Sequence, residues 1–120
     1  MKIAFSTSGG GLQGPLDPRF GRAARFLVYD LHDASSTEVD NSVNLNAAQG
    51  AGIQSAQRLV DLQVQALITG HCGPKAYRVL EAAQIAVYPC QAATIAEALA
   101  LYQAGKLTPL AGPSVDGHWV

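Results

Sequence analysis

The spacing of hydrophobic positions changes character near the middle of the chain. Before it, apolar residues come in short runs: Ile3 to Phe5, then Arg25 to Leu31, then Thr37 to Asn41. Runs of this length bounded by turn residues predict strands, and His32-Asp33-Ala34-Ser35 between the last two predicts a hairpin. Beyond it the period becomes helical. Gly52 to Leu62 sets Ile53, Ala56, Leu59 and Val60 on one face, and Ala66 to Thr69 follows as a short buried strand ended by Gly70. Pro74 stands where a first helical residue loses nothing by lacking an N–H, and Ala76, Val79, Leu80 and Ala83 then repeat at helical spacing. Ile85 to Tyr88 predicts one more strand. Thr94 with Glu97 three residues on has the form of a capping box, opening a helix from about Ile95 to Gly105 with Ile95, Ala98, Leu99 and Tyr102 inward.

Strands followed by helix–strand–helix–strand–helix predict an α/β fold whose later strands run parallel, since each crossover passes through a helix. The hairpin must then be antiparallel to its neighbours. A mixed five-stranded sheet flanked by helices is the ribonuclease-H-like arrangement, although the pattern leaves strand order open. Residues 1–105 are expected to form a single domain, with 106–120 an irregular tail carrying Pro109, Gly112, Pro113 and Gly117.

Composition narrows the functional classes. The 120 residues carry 48% hydrophobic and 14% charged positions, which reads as one compact domain with a real core. A formal net charge of −1 argues against a nucleic-acid binder working through a general basic field, so any anion site must be local. No apolar stretch approaches a membrane span and the start lacks a secretory signature, so a cytoplasmic protein is expected. Cys72 and Cys90 are too few for a disulfide framework and are not spaced as Cys-x-x-Cys.

In an open sheet of this type ligands gather beyond the carboxyl ends of the parallel strands. Three segments are expected to converge there: Ser6 to Gly11, Gly70 to Lys75 and Pro89 to Thr94. Gly50-Ala51-Gly52 and Gly73-Pro74 open helices and would add unpaired N–H groups at positive dipole ends. The loop Asp17-Pro18-Arg19-Phe20-Gly21-Arg22-Ala23 adds two guanidinium groups.

Each element has a plainer alternative. The glycine run Gly9-Gly10-Gly11 is neither a Walker A sequence nor a dinucleotide fingerprint, and glycine often serves only as a permissive turn residue. Asp17 can pair with Arg19 or Arg22 in a solvated loop. His71 and Cys72 are soft donors at the ligand end of a strand, yet a free cysteine is often a small buried hydrophobe. Phe20 is first of all a core candidate. His32 in the turn and His118 in the tail have no spacing that supports a metal site.

Catalytic patterns are weak. A nuclease of the ribonuclease H type needs clustered carboxylates for two metal ions, and Lys2 to Ser6 carries none. His71 and Cys72, as neighbours on an extended segment, point in opposite directions and do not form a dyad.

The order of these motifs resembles the dinitrogenase iron–molybdenum cofactor biosynthesis family. The matching stretches are Lys2 to Thr7, Asp17 to Ala23, Gly50 to Gln54 and Leu67 to Ala76, spread over about residues 1–105. The resemblance implies a ribonuclease-H-like, non-enzymatic protein that binds a preformed metal–sulfur cluster as carrier or assembly scaffold. Nitrogenase-associated members handle iron–molybdenum cofactor or its precursors. Small single-domain members from sulfate-reducing bacteria are associated with a mixed molybdenum–copper sulfide cluster held without covalent bonds. Such clusters are anionic, soft and weakly hydrated, and suit guanidinium groups, backbone N–H donors and apolar walls.

On this reading the cofactor contacts are Gly10, Gly11, Arg19, Phe20, Arg22, Gly50, Gly52, His71, Cys72 and Lys75, with His71 and Cys72 as metal contacts. The partners would be the cluster and the proteins that donate or accept it. Arg19 stands where several members carry a histidine, which moves the expectation from imidazole ligation to charge pairing. Two cysteines cannot supply four thiolates from one chain, which also favours non-covalent binding. Two rivals carry no positive motif: an interaction or regulatory module using the same loops for a nucleotide or protein partner, and a small enzyme working through Cys72.

Overall fold

The computed structural model describes residues 1–41 and 51–111. Five strands form one mixed sheet: β1 (Lys2–Thr7), β2 (Arg25–Asp30), β3 (Ser35–Asp40), β4 (Ala66–Thr69) and β5 (Ala86–Pro89), in the order β3-β2-β1-β4-β5. The hairpin strands are antiparallel to each other and to β1, whereas β1, β4 and β5 are parallel. The helices are α1 (Ala51–Asp61), α2 (Pro74–Ala82) and α3 (Ile95–Gln103).

Both faces of the sheet are covered, so the central strands are buried almost without interruption. Alternation then sorts the side chains into two cores. Register aligns Val28, Ala4, Leu67 and Val87 in one row, and Ala4, Leu67 and Val87 pack with Ala56 and Leu59 of α1 and Ala76, Tyr77 and Leu80 of α2. The row Leu27, Phe5, Ile68 and Tyr88 faces the other way, onto Ile95, Ala98 and Leu99 of α3.

Element ends obey local chemistry. The hairpin turn is tightened by carboxylates: His32 N–H donates to Asp30 Oδ1 at 2.9 Å and Ser35 N–H to Asp33 Oδ1 at 3.0 Å. This brings β3 into pairing at Ser35, two residues before the apolar pattern begins. Thr94 Oγ1 accepts from Glu97 N–H at 3.2 Å, while the Glu97 carboxylate accepts from Ala93 N–H, one residue earlier than a strict capping box. Two inward assignments are corrected. Ile53 is 38% exposed because α1 turns Ser55, Ala56 and Leu59 to the core, and Ala83 is exposed because α2 stops before it. Beyond α3, Leu110 N–H donates to Val87 O at 2.8 Å and its carbonyl accepts from Tyr77 Oη at 3.2 Å, so this part of the tail lies along β5.

The segment Pro15 to Phe20 crosses the carboxyl end of the sheet as a strap. Asp17 N–H donates to Ser6 O (2.8 Å), His71 N–H to Pro18 O (2.7 Å) and Phe20 N–H to His71 O (3.2 Å). Below these, the buried hydroxyls of Ser6 and Thr69 lie 2.7 Å apart and Ser6 Oγ donates to Asp17 O at 2.7 Å. The strap passes so close to β4 that a Cβ on Gly70 would sit 2.6 Å from Pro18 Cα and O; only glycine fits there.

Candidate functional site

The strap decides where a ligand can bind. It fills the crevice between the carboxyl ends of β1 and β4, the position at which a sheet of this order would otherwise take a ligand. Space opens to either side of it instead.

The larger opening is a cavity of about 450 Å³ between the short 3-10 turn Phe20–Arg22 and the starts of α1 and α2. Its lining is Phe20, Gly21, Gly52 and Ile53 on one side and Gly73, Pro74, Lys75 and Ala76 on the other. The walls are mostly apolar, and among the described residues Lys75 is the one ionisable group that lines it. Gly52 lets the helices approach, since a Cβ there would lie 3.3 Å from the Ala76 methyl. Gly73 is the N-cap of α2, with extended backbone and no side-chain hydrogen bond to the first turn. The N–H groups of that turn are therefore left to whatever occupies the mouth of the cavity. Lys75 is exposed and has no ion pair among the described residues.

Arg19 and Arg22 flank this cavity on the turn that supplies Phe20 and Gly21. The Arg19 side chain is 68% exposed and meets Asp17 at 3.8 Å, a loose surface pair that leaves most of its donors available. Phe20 is 2% exposed and stacks on Phe26 with centroids 5.3 Å apart, so it is core and cavity wall together. The turn is held against α1 by Asn41, wholly buried, whose Nδ2 donates to Ala23 O at 2.9 Å and to Ser55 Oγ at 3.1 Å. Asn41 was not singled out by the sequence, where one asparagine at a strand end carries no signal.

Two expected contacts of the glycine loop lie elsewhere. Gly10 and Gly11 are not in the cavity, because the glycine loop folds onto the hairpin. Gly11 N–H donates to the Glu38 carboxylate at 2.6 Å, and Arg25 approaches the same carboxylate at 3.7 Å. The loop already holds an anion supplied by its own chain. Gly50 is outside the described residues, as is His118.

His71 and Cys72 separate, as alternation requires. Cys72 is 1% exposed in the core that contains Phe20 and Ala76, and burial pushes its thiol up to about 12, so it stays protonated. His71 is exposed and lines a second cavity, of about 440 Å³, together with Gly70, Pro89, Cys90, Gln91 and Leu110. Among the described residues no group of three or more His, Cys, Asp or Glu side chains converges to hold a metal ion. No helix there is long and apolar enough to cross a membrane.

Known proteins share this architecture over nearly its whole length. The structure of the apo form of the orange protein from Desulfovibrio gigas is 39% identical and superposes with a TM-score of 0.92, covering 95% of this chain and 96% of that one. The NMR structure of a Thermotoga protein is 30% identical, with a TM-score of 0.83 over 97% and 98% of the two chains. An uncharacterized protein of Methanocaldococcus jannaschii is 32% identical over 109 residues, 89% of each chain. The profile of the dinitrogenase iron-molybdenum cofactor family matches residues 1–105, and the chain belongs to that family.

Proposed function

We propose that this chain is a non-enzymatic binding protein, a carrier or assembly scaffold, for an anionic molybdenum-containing metal–sulfide cluster. The cargo would be a molybdenum–copper sulfide or a relative of iron–molybdenum cofactor, received from and passed to other proteins. The observation that carries this reading is the cavity between α1 and α2. Its apolar walls, the uncapped start of α2 and Lys75 offer an environment that a large, weakly hydrated anion fits. Among the described residues no carboxylate lines it, a lining that does not favour a hard cation.

In this reading Arg19, Arg22 and Lys75 neutralise the cluster's charge, and first-turn N–H groups of α2 donate to its sulfides. Phe20, Ile53 and Pro74 exclude water from its flanks. Family membership and the likeness to the orange protein support a cluster-related role. The strand order and directions support the ribonuclease-H-like reading of the sheet, used here without a nuclease's carboxylates.

The test is an anaerobic titration of the apo protein with tetrathiomolybdate and copper, read by visible absorption and elemental analysis. Sulfide-to-metal charge-transfer bands with stoichiometric molybdenum are expected. The triple variant R19A/R22A/K75A, folded by circular dichroism, should lose most of that uptake. Wild-type protein that stays colourless and molybdenum-free would remove the reading.

A further inference from the structure

The buried polar side chains fall into two groups with different tasks. Ser6, Thr7 and Thr69 lie under the strap, where Thr7 Oγ1 donates to Pro15 O at 2.7 Å and the Ser6 and Thr69 hydroxyls meet. Asn41 and Ser55 are both 0% exposed and meet each other between the end of β3 and α1. Alternation and helical period put them there. Asn41 stands two residues beyond Val39, so it continues the face on which Phe26, the β2 partner of Val39, packs with Ala56 and Leu59 of α1. Ser55 follows Gly52 by three residues on the same side of α1, and Gly52 lines the anion cavity.

The Asn41 amide ties the turn that carries Phe20 to that helix. Its Nδ2 donates to Ala23 O at 2.9 Å and to Ser55 Oγ at 3.1 Å, and Ser55 Oγ donates to Oδ1 at 3.4 Å. Its backbone N–H donates to Ala24 O at 2.8 Å. A primary amide supplies the two donors and the acceptor this requires, whereas a carboxylate of the same length would set an oxygen against the Ala23 carbonyl. The turn is thus pinned at both ends: at its entrance by Phe20 N–H on His71 O, at its exit by Asn41 on Ala23 O. Phe20 and Gly21 of the turn face Gly52 and Ile53 of α1 within one cavity lining, from which Asn41 and Ser55 are absent.

We infer that Asn41 and Ser55 are positioning residues for the cargo: they hold the Phe20–Arg22 turn at a fixed separation from α1, which sets the width of the anion cavity and the placement of Arg19 and Arg22 beside it. The consequence for cargo rests on the cluster-binding reading, while the clamp itself rests on the hydrogen bonds. A clamp of this kind acts on affinity because a rigid anion gains its amide, guanidinium and wall contacts together only when the walls already stand at the right separation.

The experiment compares wild type with Asn41→Ala and Ser55→Ala in two measurements. In the anaerobic titration with tetrathiomolybdate and copper, scored on folded protein, Asn41→Ala should weaken uptake by about tenfold, the low end of what supporting residues contribute around a bound metal. Ser55→Ala should weaken it by less, and the double variant should be no weaker than Asn41→Ala, as for two residues acting through one bond. The visible circular dichroism of the bound cluster should change shape in both single variants, because it reads the asymmetry of the walls; a merely structural role would lower the melting temperature and leave that signature unaltered. In the apo protein, exchange of the Ala23 amide, which closes the turn on Phe20 O, should quicken by about tenfold relative to the strap amides of Asp17 and His71. The exchange arm needs no cargo, so it decides the clamp even when wild-type protein takes up no cluster, an outcome that would remove the molybdenum–sulfide reading instead. Unchanged Ala23 exchange relative to the strap, or wild-type affinity and dichroism in folded Asn41→Ala, would each overturn the inference. Ser55→Ala removes a single oxygen atom and keeps the inference falsifiable should Asn41→Ala fail to fold.

Discussion

Two N–H-rich segments, the glycine loop at Gly9 to Gly11 and the start of α2 at Gly73 to Ala76, look alike as anion cradles and behave differently in the fold. The glycine loop adopts left-handed backbone at all three positions and turns its Gly11 N–H onto Glu38. The start of α2 has no such internal partner, and Gly73 faces open space. A cluster of amide donors marks a site only when the chain does not supply the anion itself.

That difference can be broken directly by giving α2 a carboxylate of its own. Gly73 has φ −68°, and a Cβ added there would meet nothing within 4 Å, so Gly73→Asp fits without strain. It should cap the helix and raise stability by about 0.3 kcal/mol, while weakening thiomolybdate uptake by about 100-fold through charge repulsion and loss of the donors. Thermal melts and the anaerobic titration together check both signs. Unchanged uptake would sever the link between the α2 start and the cargo.

A smaller effect is expected from the loop that flanks the cavity. Arg19→Ala with Arg22→Ala should weaken uptake by about tenfold with a salt dependence shallower than wild type, because these charges are exposed and screened. Titrations at two ionic strengths read this.

The converse change empties the other cradle. Glu38→Gln should cost about 1–2 kcal/mol of stability by weakening the bond to Gly11 and the pair with Arg25, and should leave cluster uptake as it was. A denaturant titration beside the binding assay would detect the alternative, in which both move together.

The last effect is a pH slope, confined to alkaline conditions and independent of either cradle. Cys72 has its thiol raised from 9.0 to about 12, so above pH 9 the unfolded chain loses a proton that the folded chain keeps. Stability therefore falls between about pH 9 and 12, by up to about 1.4 kcal/mol per pH unit from this group. Below pH 9 the contribution is fully present. Comparing wild type with Cys72→Ala across that range isolates it, and parallel slopes would show that the thiol is more accessible than its burial implies.

Much of the architecture was legible because hydrophobic period and turn chemistry agreed with each other. The pair Thr94 and Glu97 opens α3, Pro74 opens α2, and Gly105 ends α3 with φ 73°, each where local chemistry placed it. What was not legible depends on contacts distant in sequence. Nothing local shows that Pro15 to Phe20 will strap across the ends of β1 and β4, or that Glu38, 27 residues on, will claim the Gly11 amide. The same holds for Ile53, whose apolar side chain sits at a cavity mouth because Ser55, held by Asn41, turns the helix. His71 and Cys72 were grouped by adjacency in the chain, whereas the structure leaves His71 exposed and seals Cys72 in the core.

The strap has a further consequence for how fast and how tightly the protein takes its cargo. Because its amides are hydrogen-bonded as in a sheet and Gly70 admits it to direct contact with β4, the backbone carrying Arg19 and Arg22 is already ordered before any ligand arrives. Binding then orders only side-chain rotamers, which cost about 0.5–1.5 kcal/mol each, instead of an entire loop. Hydrogen exchange should accordingly find the amides of Asp17, Phe20 and His71 slow in the apo protein. Capture would proceed by rigid docking at a rate set by charge and diffusion, with no closing step to wait for.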